Sequence, residues 1–111
     1  ARVDRDYFQV ATAVDSEAAA AEMARRLVSA RLAACVQVIG PVSSTFWWKG
    51  EVETATEWLC LAKTAARALD PLMEAIRVAH SYEEPEITAV AIVSGSAGYL
   101  RWMDQEVDPC P

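Results

Sequence analysis

Several things are scarce in this sequence, and each shortage closes off a class of function. His80 is the lone histidine, and only four glycines occur in 111 residues. There is no Ser/His/Asp set at interpretable positions, no second histidine for a metal centre and no glycine-rich phosphate loop. The ten Lys and Arg are outnumbered by sixteen Asp and Glu, giving a formal charge of -6. These basic residues are scattered, which excludes the phosphate-neutralising surface of a nucleic-acid binder. A cationic or neutral partner suits the balance better. Cys35, Cys60 and Cys110 are the only cysteines and form no Cys-x-x-Cys pair. An odd count without regular spacing is no disulfide framework and points to a reducing compartment. No apolar run approaches the ~20 residues that a membrane helix needs, and the opening Ala-Arg-Val-Asp-Arg-Asp has no apolar signal core. The expected location is the cytoplasm, with no membrane partner.

What is present is a hydrophobic share of 53%. That is ample for one packed domain over residues 1–111 and leaves no room for a second core. A domain of this size buries a limited fraction of its own surface, so association is a reasonable route to stability.

Along the chain, Tyr7 to Val14 reads as a first strand. Asp15 and Ser16 offer capping oxygens to an Ala-rich helix, with Ala20, Met23, Ala24, Leu27 and Val28 at helical spacing up to about Ala33. Ala34 to Ile39 is a second strand, interrupted at Gly40-Pro41 and resuming from Val42 to Trp48. Lys49-Gly50 turns the chain into a long third strand, Glu51 to Thr64. Its Trp58–Ala62 part is apolar on both faces, as in a central strand, and its Glu51–Glu57 part is polar, as in an arm. Asp70-Pro71 has the chemistry of a helix start, Asp as cap and Pro at the first helical position. Glu86 to Val93 reads as a fourth strand, and Tyr99, Leu100, Met103 and Val107 as the apolar stripe of a final short helix.

The order β-α-β-β-α-β plus a terminal helix predicts an α+β, ferredoxin-like split βαβ fold. The two long strands span roughly 45 Å each when extended, against ~17–20 Å for a typical strand. The hairpin therefore projects beyond its own domain carrying Phe46, Trp47 and Trp48, and a second copy of the chain in a closed ring is the economical cover.

Five segments then bring a known family into view. Leu32-Ala-Ala-Cys-Val36, Trp47-Trp48-Lys-Gly50, Lys63-Thr64, His80-Ser-Tyr-Glu-Glu-Pro-Glu-Ile87 and Tyr99-Leu-Arg-Trp102 resemble, in that order, the CutA family of divalent-cation tolerance proteins. The resemblance runs from about Phe8 to Val107. It implies the same fold, a homotrimer in which the long hairpin reaches a neighbour, a link to divalent cations such as copper, and no agreed catalytic reaction. The copper site proposed in the family uses a first-strand cysteine, a histidine one place before His80 and the Glu of the Pro-Glu pair. Here those positions hold Ala11, Ala79 and Glu86.

The candidate metal ligands are accordingly His80 and Glu86, no cofactor is certain, and a divalent metal such as copper is the open case. A lone loop histidine serves equally as a hydrogen-bonding spacer. Cys35 and Cys60 read as packing thiols and Cys110 as exposed. Trp47 and Trp48 suit an interface anchor; Glu51, Glu53 and Glu57 suit a solvated, charge-protected edge. Lys63, just past an apolar stretch, needs a partner such as Glu86 or an anion. With Tyr82, Trp48 and Glu51 it is placed in an inter-subunit cleft. Three functions remain: a non-enzymatic trimer in metal tolerance, a regulatory trimer binding a small anion or metabolite, and a hydrolase or lyase with a composite site.

Overall fold

The computed structural model describes residues 6–108; Cys110 and the first five residues lie outside them. The elements follow the order β1 (Tyr7–Val14), α1 (Glu17–Ser29), β2 (Cys35–Trp48), β3 (Glu51–Ala65), a 3-10 turn (Ala66–Ala68), α2 (Leu69–Ala79), β4 (Ile87–Ala91) and α3 (Ala97–Glu106). The strands form one antiparallel sheet in the order β2-β3-β1-β4. This is the split βαβ arrangement, with β1 between β3 and β4.

Helix α1 starts where the sequence places it, Ser16 Oγ accepting from the Ala19 N–H at 3.0 Å. It stops four residues before Ala33. Arg31 turns to a positive φ of 61°, and the Arg31 and Leu32 N–H groups close back on the carbonyls of Val28 and Leu27. This left-handed reversal satisfies carbonyls that would otherwise be orphaned. Helix α2 departs from the Asp70-Pro71 reading. The 3-10 turn feeds straight into it, Ala68 occupies the cap position without a side-chain bond, and Asp70 falls in the first turn. Strand β4 is also shorter than expected at both ends.

Alternation along the strands builds the core. Val10, Val14, Cys60 and Ala62 point to one face, where Ala20, Met23 and Leu27 of α1 and Leu72 and Ile76 of α2 cover them. Fully burying a side chain such as Leu72 is worth about 1.5–3 kcal/mol. Thr64 Oγ1 donates to the Leu32 carbonyl at 2.7 Å, whereas the equally buried Thr12 hydroxyl has no partner among the described residues. A second cluster, Ala34, Ala65, Ala68, Leu100, Met103 and Val107, seats α3.

Strand β1 pairs with β3 only from Trp58 to Ala65, so Glu51–Glu57 and its β2 partners extend past the rest of the sheet. This arm draws the molecule out to 46 × 25 × 21 Å. At its root a register shift between Ile39 and Val42 re-phases β2, with a cis Gly40-Pro41 bond inside it. From there Val42, Ser44, Phe46 and Trp48 stand opposite Glu57, Ala55, Glu53 and Glu51.

Candidate functional site

Beside the arm, where β1 has ended and β3 continues with β2 as its one neighbour, a groove of about 790 Å³ opens. Its floor is strand: Ser44, Phe46 and Trp48 from β2 face the same way as Glu53, Ala55 and Glu57 from β3. Its other wall is the loop after α2, which contributes Tyr82, Glu83, Glu84 and Glu86. Five carboxylates line it, and no Lys or Arg does.

Glu57 lies on the strand floor of this groove. It is only 8% exposed, and its Oε2 accepts a hydrogen bond from the Tyr82 hydroxyl at 2.8 Å. Burial, reinforced by that bond and by the Glu57 charge, pushes the Tyr82 phenol far above its ordinary range. Tyr82 is held by His80: the rings meet with centroids 4.7 Å apart and planes tilted by 55°, and the Tyr82 N–H donates to His80 Nδ1 at 3.2 Å. With Nδ1 accepting, the ring proton sits on Nε2, which donates to the Ala13 carbonyl at 2.8 Å. His80 thus ties the loop to the end of β1.

Of the candidates read from the sequence, Trp48, Tyr82 and Glu86 come together in the groove. His80 stands behind Tyr82, with both ring nitrogens engaged. Among the described residues no three His, Cys, Asp or Glu side chains converge as metal donors, so His80 and Glu86 do not fit a metal ion as they stand. Glu51, at the tip of the arm, does not line the groove.

Within the chain Lys63 is not paired with Glu86, the carboxylate expected for it. It pairs with Gln9 and Cys35 at the far end of the sheet, about 20 Å along β3 from Glu57. Its ammonium donates to Gln37 Oε1 at 2.6 Å, across the diagonal of the β2–β3 ladder. The side chain stays exposed enough for water to complete its solvation.

Glu57 is the residue that sequence reasoning misplaced, grouping it with Glu51 and Glu53 on a solvated edge. Its position next to the apolar Trp58–Ala62 stretch was the available signal. Cys60 is buried, and burial raises its thiol pKa. Cys35 is half-buried beside Tyr99, whose phenol is pushed up first by burial and then by that thiol.

Fold and groove together define a ferredoxin-like, split βαβ protein with an overlong hairpin arm and an acidic, aromatic-lined groove at its root. The chain belongs to the CutA1 divalent ion tolerance family, whose model matches residues 8–106. It is 41% identical over 90 residues to the divalent-cation tolerance protein CutA of Thermus thermophilus, covering 81% of this chain and 87% of that one. Against the chloroplastic CutA 1 of Oryza sativa identity is 37%, over 81% of this chain and 51% of the relative, so the chain spans about half of that protein. The crystal structure of CutA from Xylella fastidiosa superposes with a TM-score of 0.90 at 33% identity, covering 93% of this chain and 99% of that one.

Proposed function

We propose that the chain works as a homotrimeric, non-enzymatic protein of divalent-cation tolerance in a reducing, cytoplasmic setting. The observation that carries the trimer is the arm. A two-stranded ribbon is marginal in water, yet this one stands beyond the sheet with Trp47 73% and Val52 60% exposed. A neighbouring copy is the cover that the chain always has at hand, and a closed ring satisfies every arm at once. Names of relatives speak of divalent-cation tolerance, which supports the cation link without specifying the ion. A cysteine- and histidine-based copper site draws no support from Ala11, Ala79 and a fully engaged His80.

Native mass spectrometry at micromolar concentration tests this reading: three chains are expected, and a clean monomer overturns it. Deleting Thr45 to Val52 should release monomers and lower the melting temperature.

A second reading, a regulatory trimer with a ligand between subunits, is favoured by the groove that gathers Trp48, Tyr82 and Glu86. In a ring, Lys63 and Glu51 of a neighbouring copy would complete the cleft. The acid lining suits a cation rather than the anion anticipated from Lys63. Composite hydrolase or lyase chemistry has the weakest support, since Lys63 lies away from Tyr82 and Glu86 and His80 has no free nitrogen.

A further inference from the structure

We infer that the groove binds a linear aliphatic polyamine, with Glu57 and Glu53 as counter-ions to its ammonium groups and aromatic rings as its walls. The first observation is Glu57 itself. Its residue is more than nine-tenths buried, but among the described residues no cation lies within ion-pair distance of it. Among the described residues its one side-chain hydrogen bond is that from the Tyr82 hydroxyl to Oε2. A buried carboxylate without a cation is costly, and such charges are ordinarily paired. The arginines that make ion pairs are all committed elsewhere, to Glu22, Glu74, Asp104 and Glu106.

The second observation is the shape and lining of the cavity. At about 790 Å³ it falls within the range of small-molecule sites, roughly 300–1,000 Å³. Phe46, Trp48 and Tyr82 supply apolar faces that suit methylene chains and attract ammonium groups. The Trp48 ring already has the Lys49 ammonium 5.5 Å from its centroid.

Spacing separates a polyamine from a metal ion. Glu53 and Glu57 are four residues apart on one face of β3, about 13 Å along the strand. A divalent ion draws its oxygen ligands to within about 2.6 Å, so one ion cannot serve both. A flexible di- or triamine reaches both carboxylates, leaving Glu83, Glu84 and Glu86 to attract it toward the groove. All the lining residues named here belong to one chain.

Isothermal titration calorimetry of the full chain with spermidine, at physiological ionic strength, tests this directly. Native mass spectrometry of the same sample fixes the oligomeric state separately. Saturable binding of one spermidine per chain is expected, weakened about tenfold in Glu57→Gln and in Glu53→Gln by loss of a charge-assisted contact. Glu17→Gln, on the exposed start of α1, should leave it unchanged. Glu53 is exposed, so its variant carries the test even where Glu57→Gln fails to fold. Absence of saturable binding overturns the inference, including in a trimer whose neighbour fills the groove. So does equal competition by magnesium at matched charge, or undiminished affinity in Glu53→Gln.

Discussion

The two halves of the hairpin share a ladder and little else. From Trp58 to Ala65, β3 is flanked by β2 and β1 and roofed by α1 and α2, and Cys60, Ala62 and Thr64 are buried. From Glu51 to Trp58's neighbour Glu57, the same strand has β2 alone, and only Glu57 is buried. Backbone pairing therefore does not confer burial; covering layers do. The one deep side chain on the arm is covered by a loop whose bridging tyrosine lies 25 residues further along the chain. A strand continuing past its neighbour leaves a free edge and a hollow beside it, and here the hollow is the groove.

Substitutions placed in each half sharpen that contrast. Leu72→Ala, in the roofed half, should lose about 2–5 kcal/mol, measured by denaturant unfolding. A loss under 1 kcal/mol would mean the roof is not what stabilises the sheet. Gly40→Ala probes the junction, because a Cβ there would run into the Trp58 ring. An overpacking cost of about 1–3 kcal/mol is expected from the same measurement.

Thr12→Val should instead stabilise by about 1 kcal/mol, since the buried Thr12 hydroxyl has no partner among the described residues to offset its desolvation. Unchanged or reduced stability would indicate that the hydroxyl is satisfied by water. Tyr82→Phe should cost about 1 kcal/mol at neutral pH through the lost bond to Glu57. The sign of its pH dependence follows from the raised phenol pKa. The folded chain holds the Tyr82 proton more tightly than the unfolded one, so this stability is fully present below the ordinary tyrosine pKa of about 10. It falls as pH rises beyond that value. The wild type should lose stability more steeply than Tyr82→Phe in alkaline unfolding series; parallel curves would refute the shift. Smallest of all, Thr45→Ala should change stability by no more than about 0.5 kcal/mol. Its 3.2 Å contact with Thr54 is exposed on the unroofed half.

Much of this architecture was legible in the residues. Period-two strands, an alanine-rich helix behind Ser16, the Lys49-Gly50 turn and the overlong hairpin are local features, written in spacing and side-chain chemistry. Arg31 was not legible as a helix stop, because a left-handed residue is expected to be glycine and nothing nearby marks the exception. Asp70-Pro71 misled for the opposite reason. Its local start signal was overridden by a 3-10 turn already running into the helix.

The candidate site divides along the same line. That Trp48, Tyr82 and Glu86 are candidates to share one site could be read from their segments. That Glu57 is buried under Tyr82, that His80 is spent on Ala13 and Tyr82, and that Lys63 turns to Gln37 could not. The sequence alone determined which stretches become strand and helix and that the hairpin is too long for its sheet, since those follow from near-neighbour periodicity and chain length. Only the tertiary structure decided which glutamate loses its water, because burial depends on what distant segment arrives to cover it.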